Sequence, residues 1–292
     1  MRMRDLDGKL ALITGAAAGI GRSLALELAR RRVHLLLVDI DEPGLLGTAA
    51  EARSPGVDVE TCVADLCCPD DLARVVQVAR ARDIDLLVNN AGVAYYGQTH
   101  DMSTEQLDRL LGVNLLAPIR LTHELLPTLI EYPCGHVLNV CSVAGLVGVA
   151  RLSAYNASKF ALVGFSEALR AEYGPRGLGV TALCPGLVRT GIFRTAMTGG
   201  EKSVPRFPNW IQASPERIAR RAVRAVRRNE GLVVPTAAAQ LVWGIKRLAP
   251  RFFERMQRVR RVKRAPAMPQ FARVAISADE VIPPDESLRR AA

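Results

Sequence analysis

The chain has 292 residues, of which 49% are apolar and 5% aromatic. That is enough for one large hydrophobic core and excludes a disordered or collagen-like chain. The net charge of +10 is uneven: residues 1–200 hold 19 Lys+Arg against 21 Asp+Glu, whereas residues 201–292 hold 20 against 8.

In chain order, short apolar runs alternate with stretches of helical spacing. The runs are LALIT (10–14), HLLLVD (34–39), DVETCVAD (58–65), IDLLVNNAG (84–92), GHVLNVCS (135–142), GVTALCPG (179–186) and GLVVP (231–235). Such runs are typical of parallel strands buried on both faces. The spacing predicts helices over 21–32, 69–82, 104–131, 153–174 and 214–228. Seven strands alternating with helices define an α/β fold, a doubly wound parallel sheet covered on both faces. The domain reading is a nucleotide-binding catalytic domain over 1–235, a basic amphipathic helical extension over 236–264, and a loosely ordered, proline-bearing tail over 265–292.

No apolar run approaches the roughly 20 residues needed to cross a bilayer. The stretch Leu10 to Ile13 is too short for the core of a signal peptide, so the reading is a cytoplasmic protein. Six cysteines, Cys62, Cys67, Cys68, Cys134, Cys141 and Cys184, form no C-x-x-C pair. They read as small buried hydrophobes, and no metal site is expected.

Three features carry chemistry. Residues 14–21, TGAAAGIG, lie between the first strand and the first helix. Glycine there lets backbone approach a pyrophosphate, and the helix start offers free N–H groups. Asp39 ends the second strand, where a carboxylate accepts hydrogen bonds from ribose hydroxyls and repels a 2′-phosphate. With Ile40 after it and no cation at hand, the expected cofactor is NAD rather than NADP. The third feature is YNASK (155–159), which places Tyr155 and Lys159 one helical turn apart. An ammonium there favours phenolate and is expected to lower the tyrosine pKa, making it a general acid or base.

Together these motifs make the chain resemble the short-chain dehydrogenase/reductase family over roughly residues 7–235. The glycine motif is met by Thr14 to Gly21, the N-N-A-G motif by Asn89, Asn90, Ala91 and Gly92, and the P-G motif by Pro185 and Gly186. The resemblance implies a catalytic set of Asn114, Ser142, Tyr155 and Lys159. Tyr155 would exchange a proton with the substrate oxygen, Ser142 would hydrogen-bond that oxygen, Lys159 would also hold the nicotinamide ribose, and Asn114 would hold a relay water. It implies cofactor contacts from Thr14, Gly15, Gly19, Ile20, Gly21, Asp39, Asp65 and Leu66. Further contacts are implied from Asn90, Ala91, Gly92, Tyr155, Lys159, Pro185, Gly186, Val188 and Thr190, with Asp65 beside the adenine. It also implies a homodimer or homotetramer paired through the helices at 104–131 and 153–174. The competing readings are a catalytically inactive nucleotide-binding scaffold and an NADP-dependent ketone reductase of the same fold.

The segment 187–210 is expected to close the substrate pocket. Ile192, Phe193, Met197, Phe207 and Trp210 suggest an apolar lid, Gly199 and Gly200 its mobility, and with Tyr95 and Tyr96 they point to a lipophilic alcohol or ketone such as a steroid, retinoid or long acyl chain. In 241–264, Leu241, Ile245, Leu248, Phe252, Met256 and Val259 recur at helical steps. Nine Lys and Arg face only Glu254 between Lys246 and Arg264. This pattern fits a helix on the inner surface of a membrane. The alternative is docking on its own domain or a partner protomer. No base-stacking motif supports a nucleic-acid partner.

Overall fold

The structure is a computed structural model that describes residues 5–131, 135–193, 195–199, 208 and 211–258. In order, the elements are β1 (Leu10–Thr14), α1 (Gly19–Ala29), β2 (His34–Asp39), α2 (Glu42–Ala52), β3 (Val59–Val63), α3 (Pro69–Arg80), β4 (Leu86–Asn89) and β5 (Tyr95–Tyr96). Then follow α4 (Thr104–Leu111), a π-turn (Gly112–Leu116), α5 (Ala117–Glu131), β6 (His136–Val140), α6 (Ser153–Tyr173), β7 (Gly179–Leu183) and β8 (Met197–Thr198). The last are α7 (Pro215–Arg228), β9 (Leu232–Val233), α8 (Ala237–Leu248) and α9 (Pro250–Arg258). Seven parallel strands form the main sheet in the order β3-β2-β1-β4-β6-β7-β9. All seven expected strands are in it. The short pair β5–β8 forms a second sheet.

The period-two geometry of a strand explains why these runs are apolar throughout. On β1 and β2, Ala11, Ile13, Leu35 and Leu37 face one layer, packed with Leu24 and Leu28 of α1, Leu45 of α2 and Ile218, Ala222 and Val226 of α7. Their neighbours Leu10, Leu12, Leu36 and Val38 face the other layer, with Val75 of α3, Leu121 and Leu125 of α5 and Leu169 of α6. Each fully buried leucine is worth roughly 1.5–3 kcal/mol of transfer free energy, so both faces of every central strand stabilise the sheet.

Three departures from the sequence reading have local causes. Helix α2 was not expected, because Pro43, Gly44 and Gly47 blur its periodicity; Asp41 starts it by accepting the Gly44 N–H at 3.3 Å, with proline in the first turn. The single helix expected at 104–131 is interrupted by the π-turn. A side chain at Gly112 there would meet Cys67 Sγ at 2.6 Å. The basic excess of the last third is also shared: five of its arginines line the exposed face of α7, Arg221 turns in to pair with Glu230, and the inner face buries Ile218, Ala222 and Val226.

The chain divides into two compact units, Met1–Pro250 and Arg251–Ala292, so α8 belongs to the same unit as the sheet. The helical pattern of 236–264 is broken at Ala249, and Pro250 opens α9. The positions from 259 on, including the expected tail at 265–292, lie outside the described residues. Among the described residues no helix is long and apolar enough to cross a membrane.

His136 is fully buried at the start of β6, and burial pushes its pKa down to about 3, with Arg170 adding to the effect. Thr181 gives its hydroxyl proton to Glu230 O, so His136 Nε2–H donates to Thr181 Oγ1 at 2.9 Å. A depressed histidine pKa contributes stability that is present above the ordinary value of 6.5 and is lost as pH falls toward about 3. Unfolding in urea should therefore become easier by about one proton's worth, roughly tenfold in the equilibrium per pH unit, over that window. His136→Gln should flatten that dependence; an unchanged slope in the variant would show that other groups set it.

Candidate active site

The site forms where β1 and β4 part to opposite sides of the sheet. Thr14 Oγ1 donates to Val88 O and accepts the N–H groups of Asn90 and Ala91 at 3.0 and 3.1 Å. Asn90 Nδ2 returns two bonds of 2.9 Å, to Thr14 O and Gly15 O. The N-N-A-G run is thus tied directly to the glycine turn. Gly15 has φ +66, and a Cβ there would stand 2.7 Å from Ala91 Cα, so only glycine fits. Helix α1 starts at Gly19 with no side-chain cap and no acidic residue in its first turn, leaving its first N–H groups free for an anion. Across the turn, a Cβ at Gly19 would lie 3.1 Å from Thr190 Cγ2. Ile20 is half-buried against the core, and Val188 is buried.

Asp39 is held in place from both oxygens, accepting the Ala17 N–H at 2.8 Å and the Asp41 N–H at 3.0 Å. Ile40 beside it is 56% exposed. Asp65 also has partners of its own in the protein. Its carboxylate takes Arg109 Nη1 at 2.7 and 2.5 Å and the Cys67 N–H at 2.9 Å. Burial pushes its pKa up, but Arg109 and the Cys67 N–H together hold it below the usual carboxylate value. Arg109, which carried no local motif, is therefore part of this rim. Leu66 is buried beside it.

The four expected catalytic residues converge from three elements. Asn114 lies fully buried in the π-turn; its Oδ1 accepts the Val93 N–H at 2.8 Å, and its Nδ2 donates to Val93 O at 2.9 Å and Ser158 Oγ at 3.3 Å. A Cβ at Gly92 would stand 3.3 Å from Asn114 Oδ1 and 3.7 Å from Lys159 Nζ, so Gly92 separates the two side chains. Ser142 caps the short turn Val143–Gly145, its Oγ accepting the Ala144 N–H at 3.1 Å. Val143 N–H donates to Pro185 O at 2.7 Å, which fastens this turn to the P-G motif. Gly186 in turn lies against Thr236 and Ala239.

Tyr155 is buried, with Ser142 close enough to act on its phenol. Lys159 is 3% exposed; its Nζ donates to Val140 O at 2.9 Å and stands 5.9 Å from the Tyr155 ring centroid. The expected lowering of the phenol pKa is not what this geometry produces. Burial pushes Tyr155 up to about 12, with the Ser142 hydrogen bond acting against it. The Lys159 ammonium is spent on a carbonyl, and burial lowers its own pKa. Cys141 and Cys184, on adjacent strand ends beside Ser142 and Pro185, are buried free thiols; their mutual hydrogen bond and burial push Cys184 up. Cys62 is also buried, Cys67 and Cys68 are half-buried, and Cys134 lies outside the described residues.

One wall of the site is apolar. Tyr95, Leu110, Ala144 and Leu152 are buried with Tyr155, and Val93, Tyr96, Ile192, Phe193 and Met197 pack partly buried against them. Pairing of Tyr95 with Met197 and of Met197 N–H with Ala94 O at 2.9 Å pins the start of the expected lid. Gly199 is buried with its α-carbon against the Tyr95 hydroxyl, so close packing rather than mobility requires glycine there. Phe207, Trp210 and Gly200 lie outside the described residues.

A family model described as short chain dehydrogenase matches residues 9–199. The chain belongs to that family. It is 32% identical over 257 residues to estradiol 17-beta-dehydrogenase 11 of Homo sapiens, covering 86% of this chain and 83% of the relative. Its fold matches a short-chain dehydrogenase from Sphingobium yanoikuyae in complex with NADPH, at 31% identity and a TM-score of 0.73, over 89% of this chain and 99% of that one. A family structure from Burkholderia phymatum in complex with NAD shares the fold at 24% identity and a TM-score of 0.75, over 90% of this chain and 99% of that one. The chain is thus a family oxidoreductase that uses a nicotinamide cofactor. The free N–H groups of α1, the Gly15 close approach and the placed Asp39 fit such a cofactor.

Proposed function

We propose that this enzyme interconverts a lipophilic secondary alcohol and its ketone, with Tyr155 as acid and base and NAD as the preferred cofactor. The observation that carries this reading is the Tyr155 phenol, which is buried beside Ser142 in an apolar wall, one turn from a buried Lys159. A bound nicotinamide supplies the hydride acceptor or donor. In oxidation the Tyr155 phenolate takes the hydroxyl proton as the substrate carbon gives up hydride; in reduction the phenol returns it. Ser142 Oγ bonds the same substrate oxygen and stabilises its developing charge. The apolar wall and the likeness to an estradiol dehydrogenase support a lipophilic substrate.

With the phenol pKa raised, the base form is scarce at neutral pH. Alcohol oxidation should therefore rise with pH through and beyond neutrality, by up to about tenfold per pH unit, while ketone reduction stays flat there. A panel of lipophilic secondary alcohols followed by NADH formation tests this. Tyr155→Phe should abolish turnover and leave NADH binding, read by fluorescence titration, close to wild type. A variant that still turns over would remove Tyr155 from its role, and NADH binding without turnover in the wild type would favour an inactive nucleotide-binding scaffold.

The NAD preference rests on Asp39, whose carboxylate is fixed by two N–H groups and has no cation at Ile40. We expect kcat/KM for NAD to exceed that for NADP, and Asp39→Ala with Ile40→Arg to reverse the order. Equal values in the wild type would refute the argument.

Peripheral contact with an anionic membrane is part of the same proposal. On α8, Leu241 and Leu248 are 65% and 86% exposed, and the packed side of the helix is formed by Ala239 and Lys246 instead. Within α9, Phe252 and Met256 are exposed among Arg251 and Arg255. Each cation near an anionic leaflet adds about 1 kcal/mol. At low salt the protein should co-sediment with phosphatidylserine vesicles, and Leu241→Ser with Leu248→Ser should reduce the bound fraction; a wild-type protein left in the supernatant would rule the contact out.

A further inference from the structure

Helix α8 lies wholly beyond the residues matched by the family model, yet it touches three parts of the site. At its start, a Cβ at Gly186 would lie 2.6 Å from Thr236 Oγ1 and 3.2 Å from Ala239 Cβ, so the P-G motif is backed by this helix. At its end, Lys246 Nζ donates to Leu146 O at 2.6 Å across 100 residues of chain. The same ammonium stands 4.7 Å from the centroid of the Phe160 ring. Leu146 closes the turn that Ser142 opens, and Phe160 directly follows Lys159 on α6.

The turn is bonded mostly within itself. Ser142 O accepts the Gly145 N–H at 2.9 Å, and Val143 O accepts the Leu146 and Val147 N–H groups, both at 2.9 Å. Those bonds tie the turn to itself. Its outside anchors are the bond from Val143 N–H to Pro185 O on one side and, on the other, Lys246 to Leu146 O together with Asn156 Nδ2 to Val147 O at 3.3 Å. Gly145 is pressed against the Lys159 backbone, where a Cβ would meet Lys159 O at 2.6 Å, so the turn has no slack against α6. A charge-assisted bond from an ammonium is about twice as strong as a neutral one, and the ring face of Phe160 holds the cation over α6.

We propose that Lys246 is a positioning residue: it clamps the Leu146 end of the serine turn onto α6 and so holds Ser142 Oγ at the Tyr155 phenol. The proposal rests on the catalytic roles given above to Ser142 and Tyr155. It makes a helix outside the family match a working part of the catalytic centre, and it explains why a lysine on an otherwise solvated stretch turns inward while Arg247 beside it stays exposed.

Lys246→Met keeps the apolar stem and removes the donor and charge; Lys246→Arg keeps both. Hydrogen–deuterium exchange on the ligand-free enzyme needs no substrate. In Lys246→Met, amides of 143–147 should exchange about tenfold faster, as expected for loss of one charged hydrogen bond, while those of α1 and α2 stay unchanged. With the best alcohol of the panel, kcat should fall about tenfold and KM for NAD stay within about twofold. Lys246→Arg should recover most of both. Faster exchange throughout the chain with a lowered melting temperature would mean a general structural role and overturn the proposal, as would unchanged exchange in 143–147 or local loosening with unaltered kcat. If the wild type turns over no secondary alcohol or ketone, the proposed reaction fails while the exchange data still decide whether Lys246 holds the turn.

Discussion

An ammonium has been taken out of water at Lys159, and much of the site's construction follows from accommodating it. A buried charge is tolerated only when hydrogen-bonded, and the acceptor here is Val140 O at the end of β6. That bond draws α6 down onto the carboxyl end of the sheet. The serine turn packs so tightly on the Lys159 backbone that Gly145 has no room for a side chain there. The Tyr155 phenol, one turn earlier on the same helix, is carried into the same dry region. There the cost of forming phenolate keeps it protonated until a partner or a cofactor changes the field around it.

The position of this region follows from topology. With strand order β3-β2-β1-β4-β6-β7-β9, the chain leaves β1 toward one edge and returns at β4 toward the other. A crevice opens at the carboxyl ends of those two strands, the general place for ligands in an open α/β sheet. Four bonds between Thr14–Gly15 and Asn90–Ala91 join the two strand ends and keep the crevice from widening. The glycine turn and Asp39 then lie on one side of the clamp and the catalytic group on the other.

Electrostatics divides the site in the same way. The glycine-turn side holds its carboxylates with backbone N–H groups or with Arg109. The catalytic side holds a neutral phenol, a lysine and two buried thiols among apolar side chains.

By itself the sequence determined the alternation of apolar runs and helices, the glycine turn and the Tyr155–Lys159 pair, because strand burial, positive φ and one-turn spacing are local properties written in neighbouring residues. The seven-stranded sheet was legible for that reason. Helix α2 was obscured by its own glycines and proline, and the need for glycine at 112 in the π-turn comes from Cys67, which lies far away in the chain. Only the tertiary structure decided that Asp65 is spent on Arg109, that Gly199 packs against Tyr95, and that Lys246 reaches Leu146. It also decided the direction of the Tyr155 pKa. Spacing places an ammonium near a phenol, but burial sets the cost of the charged form, and burial is a property of everything that packs around a residue rather than of its neighbours in the chain.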